Sequence, residues 1–113
     1  MMEHEAYDLS VTPLGDPVVI HLNRGDADFK LKFNIMSRSG TFKMENGTSA
    51  KICGTKPDGT KYEASASISG NTVTVNGDSN MTNTPGVGVF EICLTHARKE
   101  LFTQNFKVCI EDI

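Results

Sequence analysis

Three histidines, three cysteines and fourteen carboxylate side chains are the groups through which this chain could do chemistry. Their spacing decides what that chemistry would be. His4, His21 and His96 share no interval that brings two imidazoles to one metal, and His21 lies in an apolar run where a half-buried or surface place is the simplest reading. Asp26 and Asp28 flank Ala27 and offer oxygens, but the glycine and further acidic positions of a calcium loop are missing. Asp26 instead follows Gly25 at the end of a strand, where its carboxylate can accept backbone N–H groups and fix a corner. Cys53, Cys93 and Cys109 are odd in number and spaced neither as a zinc knuckle nor as a redox pair, so they read as reduced thiols behaving as small hydrophobes or strand residues.

Nucleophilic and phosphate-binding arrangements fare no better. No serine sits in a Gly-x-Ser-x-Gly elbow, and no serine or cysteine can be matched to a histidine and an acid. Thr84-Pro85-Gly86-Val87-Gly88-Val89 has glycines two apart, without the third glycine, the lysine and the following helix of a phosphate cradle. Arg24-Gly25-Asp26 spells a tripeptide of integrin ligands, read here as part of the corner, and the glycosylation-type triplets Asn46-Gly47-Thr48 and Asn80-Met81-Thr82 read as turns. The chain is therefore expected not to be an enzyme and to need no metal or cofactor. Its net charge is −3 with scattered basic residues, so no stripe of Lys and Arg is available to a phosphate backbone and no nucleic acid is expected as a partner. The apolar runs are too short to cross a bilayer, and Met1-Met2-Glu3-His4-Glu5 is the opposite of a basic signal-peptide start, so no membrane partner is expected and the protein should be made and kept soluble.

What must position any site is a β architecture. The length of 113 residues suits one domain. Period-2 alternation dominates, most clearly in Phe29-Lys30-Leu31-Lys32-Phe33-Asn34-Ile35-Met36, where one face is apolar and the other polar. Further strands are predicted over 17–23, 48–56, 62–68, 72–75, 87–96 and 101–110. The last two should form a terminal hairpin turning around Arg98 and Lys99. Lys56-Pro57-Asp58-Gly59 is a turn with a mechanism: proline presets φ, aspartate bonds back to the backbone and glycine accepts positive φ. Residues 79–86 lack periodicity and carry Pro85, which suits a crossover between sheets. Together these predict an all-β fold, an immunoglobulin-like antiparallel β-sandwich of about seven strands. Its core is expected to include Phe29, Leu31, Phe33, Ile35, Phe90, Ile92, Leu94, Phe106 and Val108.

The first sixteen residues behave differently. Tyr7, Leu9 and Val11 alternate with Asp8, Ser10 and Thr12, and Pro13, Gly15 and Pro17 separate this stretch from the main body. The division is thus 1–16, an N-terminal arm or edge strand, and 17–113, the sandwich. Such an arm either supplies the first edge strand of its own sandwich or adds to a neighbouring subunit, with backbone giving affinity and alternate side chains giving register. Tyr7, Leu9, Val11 and Leu14 are the expected partner-binding residues.

Several of these elements occur in a recognisable order. An opening strand ends in the Arg24-Gly25-Asp26 corner, and the alternating strand Phe29 to Ile35 and a loop through Asn46-Gly47 come next. Thr48-Ser49-Ala50-Lys51-Ile52 then leads into Lys56-Pro57-Asp58-Gly59-Thr60, and Gly86 to Leu94 precedes the final strand. In this order the chain resembles, over residues 18–111, the N-terminal domain of upper baseplate proteins of tailed phages that infect Gram-positive bacteria. The resemblance implies a structural virion protein module that builds or joins the baseplate or tail-tip host-attachment apparatus. Its partners would be other virion proteins and further copies of itself, a trimer among the options, and it would be synthesised in the host cytoplasm and located in the virion. No fibre-forming or receptor-binding region follows before Ile113, and the N-terminal arm is extra to the pattern; these departures suggest an excised domain or a small free-standing component assembled by arm exchange. A capsid decoration or head-fibre anchor is the alternative within that class, and a carbohydrate-binding module for the bacterial surface the alternative outside it. The last is weakened by the absence of Trp and by having only Tyr7 and Tyr62 as amphipathic aromatics.

Overall fold

Among the residues described by the computed structural model, 2–3, 6–11, 16–38 and 40–112, every regular element is a strand. In chain order they are β1 (Met2–Glu3), β2 (Tyr7–Ser10), β3 (Val19–Asn23), β4 (Phe29–Ser37), β5 (Gly40–Thr41), β6 (Ser49–Thr55), β7 (Lys61–Ser69), β8 (Thr72–Gly77), β9 (Gly86–His96), β10 (Lys99–Phe102) and β11 (Phe106–Glu111). The fold is all-β. Alternation in the sequence becomes alternation of burial: Phe29, Leu31, Phe33 and Ile35 of β4 are buried while Lys30, Lys32 and Asn34 between them are only half-buried.

The hydrogen-bonded path runs β1-β4-β8-β7-β6-β9-β11-β3, with β2 and β5 also on β4 and β10 on β9. It folds into two layers because β7 belongs to both. Lys61 to Ala66 pair with β6, and Ser67 to Ser69 pair with β8. The run Ala64-Ser65-Ala66-Ser67 at this seam carries only small side chains, which lets the strand bend from one layer into the other. A purely antiparallel sandwich is not what forms: β1 and β2 run parallel to β4, and β3 runs parallel to β11, so the curled sheet is mixed. Eleven strands are present among the described residues instead of about seven. The additional ones are β1, β2 and β5, together with β10, which is split from β11.

That split is a bulge. Phe102 lies opposite Cys93 and Phe106 opposite Phe90, so three residues of the return strand face two of β9. Thr103 fills the gap, its amide donating to the Ile92 carbonyl and its hydroxyl accepting from the Ile92 amide. The turn before it sits one residue earlier than expected, at Ala97 and Arg98, which both take positive φ, 49° and 67°. A two-residue hairpin loop requires this backbone, whose right-handed twist matches the flanking strands, whatever residues occupy it.

All nine expected core residues are buried. Five rings cross the interior from layer to layer: Tyr7 to Phe33 at 6.1 Å between centroids, Phe33 to Phe106 at 4.8 Å, Phe106 to Phe90 at 6.2 Å and Phe90 to Tyr62 at 6.1 Å. Two of the core phenylalanines lie over glycine on the adjacent strand, Phe90 opposite Gly54 and Phe29 opposite Gly77. A Cβ at Gly54 would run into the Val89 carbonyl and the Phe90 ring. At the far end of the ring chain the Tyr62 hydroxyl donates to Asp78 Oδ1 at 3.2 Å. Burial, followed by the charge and hydrogen bond of Asp78, pushes this hydroxyl up to about 12.

Segment 78–85 crosses between the layers, as its lack of periodicity suggested, and it ties together the two turn motifs. Met81 is fully buried as a plug. Thr82, also fully buried, donates its hydroxyl to the Asp26 carbonyl at 2.7 Å, and its own carbonyl accepts from the Gly25 amide. Asp26 in turn accepts the Asn23 amide through Oδ2 at 2.9 Å. On the other side Asn80 accepts from the buried Lys56 Nζ at 3.5 Å, and the Thr84 hydroxyl donates to Asp58 Oδ2 at 3.4 Å.

Two outcomes follow from this core. Gly54→Ala should lower the unfolding free energy by about 1–3 kcal/mol, because Phe90 already fills the space and a backbone carbonyl cannot yield; urea denaturation measures it. Tyr62 has a folded pKa above its ordinary 10.0, so its contribution is complete below pH 10.0 and is lost as pH rises from there toward about 12. Urea midpoints followed into alkali should decline over that window, and less steeply in Tyr62→Phe.

Candidate assembly surfaces

Three surfaces leave backbone or apolar side chains exposed or held by few bonds. The arm comes first. Tyr7 is half-buried against Phe33, Leu9 is fully buried in the core, and Val11 is half-buried with its amide donating to the Met36 carbonyl at 2.9 Å. Leu14 lies outside the described residues. Residues Tyr7 to Ser10 pair in parallel register with Phe33 to Met36, so in one chain the arm serves as an edge strand of its own sheet. Tyr7 and Leu9 present one face inward while Asp8 accepts from Asn34 Nδ2 at 3.2 Å outside.

A residue not anticipated from the sequence holds this arm in place. Gln104, in the bulge between β10 and β11, accepts the Ser10 amide through Oε1 at 2.8 Å and donates its own amide to the Ser10 carbonyl at 2.8 Å. Its Nε2 donates to the Asp16 carbonyl at 2.7 Å. One side chain thereby grips both ends of the connection between arm and body, and stitches the edge of one layer to the edge of the other. The only sequence trace of this arrangement is a change of phase: Leu101 sits on an odd position while Phe106, Val108 and Ile110 sit on even ones, which marks an inserted residue between them.

A second surface lies at the other end of β9. Segment 42–48 and the β9–β10 hairpin enclose an open groove of about 580 Å³, floored by Phe42, Met44, Leu94 and Leu101 and rimmed by Lys43, Glu45, Lys99 and Glu100. His96 joins its two walls, with Nε2 3.1 Å from the Asn46 carbonyl and Nδ1 3.4 Å from Glu45 Oε2. A third is the outer face near β3, where Val19, Val87 and Val89 are exposed. The ion pairs on these surfaces, Arg24 with Asp112 at 2.9 Å and Lys51 with Glu63 at 3.4 Å, are solvent-exposed and contribute little to stability.

Two of the thiols are held away from their reactive thiolate form. Burial, reinforced by a hydrogen bond to Glu100 Oε2 at 3.3 Å, pushes the Cys93 thiol up to about 11, and burial with the nearby Glu91 charge also raises Cys53. His21 stands 3.7 Å from Glu111 and His96 is engaged as described. No group of three or more His, Cys, Asp or Glu able to hold a metal occurs among the described residues.

No protein-family profile matches the chain, and no curated protein matches it. A solved structure does: the N-terminal domain of phage TP901-1 ORF48 superposes with a TM-score of 0.71 and 13% sequence identity, covering 97% of this chain and 99% of that one. At that identity the similarity is one of fold, and it extends over essentially the whole of both chains.

Proposed function

We propose that this chain is a structural module of a tailed-phage particle that works by protein–protein contact, building or joining the baseplate or tail-tip apparatus. The observation that carries the reading is the fold shared end to end with a domain of a phage protein. Support comes from what the two sequence motifs do. The Gly-Asp corner and the Lys-Pro-Asp-Gly turn are both anchored to segment 78–85, so the resemblance rests on residues that hold this architecture together. Binding, and not catalysis, is the work such a surface can perform. The partners are other virion proteins and further copies of the chain.

Assembly through the arm is part of the proposal. Tyr7, Leu9 and Val11 fit a seat on β4 formed by Phe33 and Ile35, and Leu14 follows them in the chain; the same residues would fill an identical seat on a neighbour, with Gln104 as the clasp in either case. A capsid decoration or head-fibre anchor would use the same surfaces. The carbohydrate-binding alternative loses both tyrosines, since Tyr62 is only 4% exposed and Tyr7 lies against Phe33, and is left with Phe102 as an exposed ring.

Immunogold electron microscopy of virions from the bacterium that carries the coding sequence should place label at the tail tip. Label on the head would move the assignment to the capsid alternative, and unlabelled particles would remove the virion reading. For the arm, Gln104→Ala should speed amide hydrogen exchange at Ser10 and Val11 by about tenfold, since the lost bonds are worth about 1 kcal/mol or more, while β9 amides keep their protection. Unchanged exchange at Ser10 would show that the clasp does not hold the arm.

A further inference from the structure

Three dipeptides of this chain set a side-chain carbonyl carbon beside a glycine amide: Asn46-Gly47, Asp58-Gly59 and Asn76-Gly77. In such a pair the side chain can close onto the following backbone nitrogen, because glycine carries no Cβ to obstruct the approach. The fold protects two of them. The Gly59 amide donates to the Lys56 carbonyl at 2.9 Å, and Asp58 Oδ1 is held by the amide and hydroxyl of Thr60 at 3.0 and 2.6 Å. Gly77 lies in the β4–β8 ladder opposite Phe29, whose ring fills the place a Cβ would take, so the peptide plane before it cannot turn. Asn46-Gly47 has neither protection. Both residues are exposed at the tip of a turn whose bonds run around them, from the amide and hydroxyl of Thr48 to the Glu45 carbonyl at 3.2 and 2.6 Å. Among the described residues neither the Asn46 carboxamide nor the Gly47 amide has a hydrogen-bond partner.

We propose that Asn46-Gly47 is a self-modification site, at which the folded chain converts Asn46 to aspartate and isoaspartate and thereby releases the grip of His96 on segment 42–48. The Gly47 amide nitrogen, having given its proton to hydroxide, attacks Asn46 Cγ. The new C–N bond closes a succinimide as the Cγ–Nδ2 bond breaks, and the leaving nitrogen takes a proton from water and departs as ammonia. Water then adds to the imide: cleavage at Cγ gives aspartate, and cleavage at the Asn46 backbone carbonyl carbon gives isoaspartate. The sum is a carboxamide and water going to a carboxylic acid and ammonia, with no change of oxidation state. In the unconverted chain the Asn46 carbonyl accepts from His96 Nε2 at 3.1 Å, and Glu45 Oε2 lies 3.4 Å from Nδ1. Isoaspartate reroutes the chain through Cγ, so the carbonyl that His96 holds leaves the backbone and His96 grips a side group in place of the chain. Either product also sets a second carboxylate beside Glu45, on a groove rim whose other charges are Lys43, Lys99 and Glu100. Conversion therefore loosens one wall of the groove. This inference does not depend on the virion reading.

Peptide mapping of the full chain, incubated folded in mildly alkaline buffer, reads the amide-to-acid mass change at each asparagine. Conversion at Asn46 should run about tenfold or more faster than at Asn76 in the folded chain, and the two rates should come together in urea, where the ladder around Gly77 is gone. Ammonia release from the folded chain should fall about tenfold in Asn46→Gln, whose longer side chain cannot close the same ring, and stay unchanged in Asn76→Gln. Equal rates at the two asparagines in the folded chain, or an Asn46 that converts in urea and not in the folded chain, would overturn the site. The converted fraction, separated by anion exchange, should exchange its Thr48 amide about tenfold faster than the unconverted chain while β9 amides keep their protection. Equal exchange at Thr48 would overturn the release of the His96 grip.

Discussion

The contact between Phe33 and Phe106, 4.8 Å between ring centroids, is the point at which the two layers of this fold meet. Phe33 belongs to β4, flanked by β2 and β8; Phe106 opens β11, flanked by β9 and β3. Tyr7 joins the pair at Phe33 and Phe90 joins it at Phe106, with Tyr62 beyond Phe90. The geometry at the pair sets the distance between the layers, and the glycines under Phe90 and Phe29 are what that distance demands. With a Cβ at Gly54 or Gly77, the rings would have to rise off their own sheet and into the opposite one. The bulge at Thr103 serves the same end, since it shifts the phase of the return strand so that Phe106 points inward.

With the interior committed in this way, function falls to the edges. Among the described residues the curled sheet has edges at β2, β3 and β10, and the chain treats β2 and β10 differently. Gln104 stitches β2 across to the return strand, so one edge is closed by side-chain hydrogen bonds in place of a ladder. Strand β10, a few residues earlier in the same return strand, is left open and decorated with two charges and two apolar groups. Polar guards beside short apolar strands keep such an edge from being sticky.

Much of this fold was legible in the sequence, and the reason is local. Alternation identifies a half-buried strand without reference to anything distant, so β4 and the nine expected core residues came out as read, and the two turn motifs carry their own hydrogen-bonding chemistry in Asp26 and Asp58. Hairpin pairings were legible from their turns, but partners distant in sequence were not, because nothing in Val19-Ile20-His21-Leu22-Asn23 records that it will run parallel to Phe106–Glu111. The same limit hid Gln104, whose partners Ser10 and Asp16 lie far away in sequence, and Met81, whose burial depends on both turns closing around it. The arm was legible as an amphipathic strand. The sequence left open whose sheet it joins, and within one chain it lies on its own.

The parallel pairing of β3 with β11 has a consequence for how the protein is made. Val19 to Asn23 are translated well before their hydrogen-bonding partners, Lys107 to Glu111. Until then β3 and the neighbouring edge of β9 are unpaired, and Phe33 lacks the ring against which it packs. Native closure therefore waits for residue 111 to emerge and is governed by the slow search for a contact of high sequence separation. During synthesis the nascent chain carries exposed strand edges open to pairing with any other strand.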